Sequence, residues 1–141
     1  MNRILLVDDE ASVLAALQRA LRQAFGKRVQ VETHTDALAA LTRAREVDFA
    51  LVISDLRMPE VDGISFLSLM GAVQPDAARI VLTGVPDFET AHRAVNEADV
   101  FRYLAKPWSD AELVTHVEAA LHHAEVSRRK SRETAALTAG A

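Results

Sequence analysis

The chain has 141 residues, a formal charge of −4 and no cysteine. That length suits one domain with a sizeable core, and the absence of thiols excludes disulfides, zinc-thiolate sites, iron–sulfur clusters and cysteine catalysis. The mild negative charge leaves no chain-wide basic footprint for nucleic acid; the apolar run Ile4-Leu5-Leu6-Val7 is far too short for a signal segment or a membrane span, so a cytoplasmic domain without membrane contact is expected.

Apolar patterning then divides the chain into short runs and helical stretches. Residues 4–7 are continuously apolar, as in a strand buried on both faces of a parallel sheet. Val13, Leu17, Leu21 and Phe25 recur every fourth residue and mark one face of a first helix, which Gly26 is placed to stop. Residues 29–33 alternate Val29 and Val31 with Gln30 and Glu32, the texture of a more exposed strand. Leu38 and Leu41 mark a second helix, with Thr35 or Asp36 as its cap. A third strand is expected over residues 49–53, and Ile64, Leu67 and Met70 mark a third helix with Pro75 just beyond its end. Residues 80–82 form a fourth run, followed by a helix from residue 88 to about 96 with Pro86 near its start. The fifth run covers residues 100–104, and Ser109-Asp110-Ala111-Glu112 has the pattern of a capping box. It opens a helix whose stripe is Leu113, Val117, Leu121 and Ala124.

Strand–helix alternation repeated five times argues for an α/β fold, a doubly wound five-stranded parallel sheet. Right-handed crossovers put the five helices on both faces. The domain is expected over residues 1–125. Residues 126–141, basic at Ser127-Arg128-Arg129-Lys130-Ser131-Arg132 and weakly patterned from Ala135, read as an extension of the last helix and a flexible C-terminal tail or linker stub.

In an open α/β sheet, ligands bind beyond the carboxyl ends of the strands. After the first strand come Asp8, Asp9 and Glu10; after the third, Ser54 and Asp55; after the fourth, Thr83 and Gly84; after the fifth, Ala105, Lys106 and Pro107. These strands are expected together in the middle of the sheet, so carboxylates, a hydroxyl and an ammonium converge on one rim. Like charges about 4 Å apart repel by roughly 1 kcal/mol in water and about 4 kcal/mol at an effective dielectric of about 20. Gathering Asp8, Asp9 and Asp55 therefore calls for a compensating cation, and Mg2+, a hard ion that takes carboxylate oxygens and engages phosphate, is the natural one. A carboxylate can itself be the nucleophile and form an aspartyl phosphate; metal and Lys106 then neutralise charge on the transferred group.

Four segments carry a resemblance: Leu5-Leu6-Val7-Asp8-Asp9-Glu10, Asp55-Leu56-Arg57-Met58-Pro59-Glu60-Val61-Asp62-Gly63, Leu82-Thr83-Gly84, and Tyr103-Leu104-Ala105-Lys106-Pro107-Trp108. In this order and spacing they resemble the receiver domains of two-component response regulators, over residues 3 to about 125. The resemblance implies the flavodoxin-like strand order 2-1-3-4-5. It implies that Asp55 is the phospho-acceptor, that Asp9 binds the metal directly and Asp8 mostly through water, and that the Arg57 position supplies a backbone carbonyl. It implies that Thr83 is the switch hydroxyl, Tyr103 the aromatic that swings inward with it, and Lys106 the partner of the phosphoryl oxygens, with a cis peptide before Pro107. The donor it implies is a histidine kinase or phosphotransfer protein, and the signal passes to an output domain or partner protein. A homodimer is an option, and neither direct nucleic-acid contact nor a membrane is implied.

Two segments depart from parts of the family. Glu97-Ala98-Asp99-Val100-Phe101-Arg102-Tyr103 lacks the Gly-Ala-Asp-Asp stretch of receivers that dimerise through their last helices. Val100-Phe101-Arg102-Tyr103 with Lys106-Pro107-Trp108 looks more like receivers attached to cyclic-dinucleotide phosphodiesterase or other enzymatic outputs. A haloacid-dehalogenase-like phosphatase also uses an aspartate nucleophile and magnesium, but it wants an acid two residues on, where this chain has Arg57. A degenerate receiver would lack an acceptor, metal or lysine position, and all are present. His34, His92, His116, His122 and His123 have no ligand spacing and read as solvated or packing residues.

Overall fold

The structure is a computed structural model that describes residues 2–58, 61–84 and 88–140. Pro59 and Glu60 of the second motif, together with Val85 and Pro86, lie outside the described residues. The elements follow in strict alternation: β1 Asn2–Val7, α1 Ala11–Phe25, β2 Val29–His34, α2 Ala37–Ala44, β3 Leu51–Asp55, α3 Gly63–Val73, β4 Ala78–Thr83, α4 Phe88–Ala98, β5 Arg102–Ala105 and α5 Asp110–Gly140. All the strand pairings are parallel, in the order β2-β1-β3-β4-β5, so the expected doubly wound fold and its strand order are what the chain adopts.

Period-2 alternation along the buried strands splits the core in two. Ile4, Leu6, Leu51, Ile53, Ile80 and Leu82 face α1 and α5. Leu5, Val7, Val52 and Val81 face α2, α3 and α4. Strands β1, β3 and β4 are covered on both faces, which is why they are apolar almost without interruption. Helix ends follow their side chains. Asp36, not Thr35, caps α2 by accepting from the Leu38 amide at 3.1 Å. The Ser109 hydroxyl accepts from the Glu112 amide at 3.1 Å. Gly26 ends α1 with φ at +54°, a conformation that glycine adopts without a Cβ penalty.

Two strands begin later than their apolar runs, and the amides ahead of them are bonded as follows. The Phe49 amide donates to Oε1 of buried Gln74 at 2.6 Å, whose Nε2 donates in turn to the Ala44 and Val47 carbonyls, and β3 starts at Leu51. Val100 and Phe101 donate to the carbonyls of Ala94 and Arg79, and β5 starts at Arg102. Arg79 itself is buried within β4. Its Nε donates to the Ala98 carbonyl at 2.9 Å and its Nη1 to Ala77 at 3.1 Å, so it caps the C-terminal end of α4. Burial pulls its pKa down and Asp99 opposes this. Gly71 leaves room for the guanidinium, since a Cβ there would lie 3.0 Å from Arg79 Cζ.

At the β2 edge, Glu32 takes a forked contact from Arg43, 2.8 Å from Nη2 and 3.0 Å from Nε, with Arg3 Nη1 at 3.4 Å. The hydrogen bond from Arg43 holds the Glu32 carboxyl below its ordinary range, with burial opposing. Because folding lowers this pKa, the stabilisation is present above the ordinary glutamate value and fades as pH falls through the lowered one. Glu32→Gln is expected to lower the unfolding free energy at neutral pH by about 0.5–1 kcal/mol, the range of exposed pairs. Urea melts across pH should show the deficit shrinking toward acid pH.

Candidate functional site

Parallel register carries four strand ends to one rim. Val7 pairs with Ser54, Asp55 with Leu82 and Thr83 with Ala105. The next positions along, Asp8 after β1 and Lys106 after β5, therefore fall in line with Asp55 and Thr83. Backbone bonds hold this row: the Asp8 amide donates to the His34 carbonyl at 3.2 Å, Leu56 to Leu82 at 3.2 Å, and Lys106 to Thr83 at 2.7 Å. The Lys106-Pro107 peptide is cis.

Asp8, Asp55 and Thr83 are buried, whereas Asp9 and Glu10 are exposed. Lys106 reaches both buried acids, with Nζ 3.3 Å from Asp8 Oδ2 and 3.6 Å from Asp55 Oδ1. The other Asp8 oxygen accepts from the Glu10 amide at 2.9 Å. Burial pushes the Asp8 carboxyl above its ordinary pKa; the Glu10 N–H bond opposes this, the Asp55 charge adds to it, and Lys106 opposes it. One oxygen each from Asp8, Asp9 and Glu10 falls within a 4.8 Å group, an arrangement that could hold a metal ion. Asp55 is not one of the three; it is linked to Asp8 by their shared contact with Lys106 and by its charge. Glu10 was legible in the sequence only as the residue after two aspartates; its place in the acidic group was not assigned there.

The loop after Asp55 is drawn tight. Arg57 and Asp62 form an antiparallel bridge, and the Gly63 amide donates to the Leu56 carbonyl at 3.1 Å. A Cβ on Gly63 would lie 2.5 Å from the Asp55 carbonyl oxygen and 2.6 Å from Leu56 Cα. Position 63 therefore calls for glycine, because only a residue without a Cβ admits this approach. The Arg57 side chain points to solvent. Tyr103 pairs with Val81, and its half-buried ring packs with the α2–α4 half of the core. Its hydroxyl is buried and has no hydrogen-bond partner among the described residues. Tyr103 and Thr83 lie two positions apart in the sheet on the same face.

Acids, a hydroxyl and a lysine thus line the carboxyl ends of β1, β3, β4 and β5; β5 is the edge strand and not, as expected, in the middle of the sheet, and this rim is where ligands bind in open α/β folds. Comparison with known proteins gives the family. A model described as the response regulator receiver domain matches residues 4–118. The chain belongs to that family and is a signalling domain of two-component systems. Among curated relatives, the hydrogenase transcriptional regulatory protein HoxA of Bradyrhizobium diazoefficiens is 36% identical over 118 residues, 84% of this chain and 24% of the relative. The transcriptional regulatory protein PrrA of Mycobacterium leprae is 34% identical over 135 residues, 96% of this chain and 56% of the relative. The chain thus spans between a quarter and just over half the length of these two regulators. Among solved structures, the signal receiver domain of an HD domain-containing protein from Pseudomonas fluorescens Pf-5 aligns with TM-score 0.84 at 35% identity, covering 91% of this chain and 92% of that one. Among the described residues, no helix is long and apolar enough to cross a membrane.

Proposed function

We propose that Asp55 accepts a phosphoryl group from a phosphohistidine on a histidine kinase or phosphotransfer protein, in a magnesium-dependent step. The observation that carries this is the pair of contacts from Lys106 to Asp8 and Asp55, at the end of the strands, in a chain of the receiver family. An Asp55 carboxylate oxygen attacks phosphorus, the P–N bond to the donor breaks, and an aspartyl phosphate remains. Lys106 keeps a positive charge beside the acceptor oxygen and follows the phosphoryl oxygens once the group has moved. The donor set suits a hard divalent ion, since Asp8, Asp9 and Asp55 offer oxygens only, with the Arg57 carbonyl available from the loop. Burial first, and the neighbouring Asp55 charge after it, raise the Asp8 carboxyl, while the Glu10 amide and Lys106 oppose this. Bound magnesium would supply a compact charge against the phosphoryl oxygens.

New phosphoryl oxygens beside Thr83 give its hydroxyl a charged acceptor. The Tyr103 ring shares that face of the sheet, and its buried hydroxyl has no partner among the described residues. Thr83 and Tyr103 together bias the surface formed by α4, β5 and α5, which a partner or an output domain reads.

The test is uptake from a small phosphodonor such as phosphoramidate. One phosphoryl group per chain is expected with magnesium, and none with a chelator. A chain that takes up no phosphoryl group under either condition ends this reading.

A further inference from the structure

α5 continues far past its last core-facing residue. Leu113, Val117, Ala120 and Ala124 are buried against the sheet, but the same stripe then turns polar, with Ser127, Arg128 and Ser131 in the succeeding positions. These side chains find partners at the pole of the domain opposite Asp55. The hydroxyls of Ser127 and Ser131, one turn apart, both donate to Asp76 Oδ1 at 2.8 Å. Arg128 Nη2 donates to the Phe49 carbonyl at 2.8 Å. Asp76 lies two residues before β4 and Phe49 two residues before β3, so the extension is tied to the bases of the two strands that end at Thr83 and Asp55.

Little else holds it. Residues 126–137 contain few apolar side chains, Leu137 among them is 77% exposed, and an isolated helix of this length is marginal in water. An open cavity of about 370 Å³ lies between the extension and the α3–β4 connection, bordered by Val73, Pro75, Asp76, Arg128, Arg132 and Ala135, so continuous apolar packing does not join them.

We propose that Asp76 latches the α5 extension to the base of the β3–β4 pair, making residues 126–137 an oriented part of the receiver and not a loose tether. The latch does not depend on phosphorylation of Asp55, and its test needs neither metal nor donor.

Hydrogen exchange by mass spectrometry on the full chain reads it directly. The variants are Asp76→Ala and the double variant Ser127→Ala with Ser131→Ala. Alanine is the strongest helix former, so in an undocked helix the double variant would slow exchange. With the latch, both variants should speed exchange at residues 127–137, on the order of fivefold for loss of bonds to a carboxylate, and leave residues 113–124 unchanged. Unchanged or slower exchange in the serine double variant overturns the proposal, whatever Asp76→Ala does. So does an acceleration spread equally over the strands, because the contact would then serve global stability and not the extension.

Discussion

Asp55→Asn is expected to abolish phosphoryl uptake and, in metal-free buffer, to raise the melting temperature. The first effect follows from removing the nucleophile, since an amide oxygen carries no charge and forms no stable acyl phosphate. The second follows from the crowding of acids at the rim. Asp55 adds to the forces that push the buried Asp8 carboxyl above its ordinary pKa, and the two share one ammonium. Neutralising Asp55 removes that repulsion and the cost of burying a second charge, while Lys106 keeps Asp8 as its partner. The gain is expected at about 1 kcal/mol, or about 4 °C in Tm for a domain of this size. Magnesium should narrow or reverse the order, because an ion that binds the folded wild type stabilises it by mass action. Calorimetry with chelator and with magnesium checks both statements. Undiminished uptake by the variant removes Asp55 as acceptor, and a lower metal-free Tm removes the electrostatic account of the rim.

Among the described glycines, Gly63→Ala is expected to be the most damaging change. The added Cβ would stand 2.5 Å from the Asp55 carbonyl oxygen, 2.6 Å from Leu56 Cα and 2.7 Å from the Leu56 carbonyl oxygen. All three neighbours are main-chain atoms next to the acceptor, so none can turn aside as a flexible side chain would. Forcing extra atoms into a packed site costs about 1–3 kcal/mol and sometimes more, and a backbone contact this close argues for about 3 kcal/mol. The relief would come by pushing apart the β3–α3 connection, which carries Asp55 at one end and the Arg57–Asp62 bridge within it. A fall in Tm of about 10 °C is expected, together with a drop in phosphoryl uptake that persists at temperatures where the variant is fully folded. Gly71→Ala is a useful control: its new Cβ meets side-chain atoms of Arg79 at 3.0 Å and no main-chain atom closer, so the loss should be smaller. Equal tolerance of both substitutions would mean the loop is not as tightly drawn as its geometry indicates.

Much of this architecture could be read from residue order alone, and the reasons are local. β1 and β4 were legible because strands covered on both faces must be apolar nearly throughout. The α2 and α5 starts were legible because Asp36 and Ser109 can offer an oxygen to an amide two or three residues on. Site residues were legible at the positions just past each strand's carboxyl end, since parallel pairing brings those positions to one edge. The features that could not be read depend on partners far away in sequence. The apolar run ahead of β3 begins at Phe49, but the amide of Phe49 is taken by Gln74, 25 residues later. Arg79 precedes an apolar run and would ordinarily read as a solvated charge, yet it is buried because the carbonyls of Ala77 and Ala98 converge on it. The contact of Lys106 with Asp8 spans 98 residues, and no spacing rule encodes its distance. The need for glycine at position 63 depends on how closely the chain returns past Leu56.

The 31 residues of α5 have a mechanical meaning of their own. From the last buried position, Ala124, to Gly140 the helix rises about 24 Å at about 1.5 Å per residue, a distance comparable to the width of a small domain. Because Ser131 is still tied to Asp76, the free lever is the stretch beyond it, about 14 Å long, and a tilt of about 10° past that tie moves the tip through about 2 Å. Angular changes too slight to disturb the packing around the fulcrum would become displacements large enough to make or break a contact at the far end.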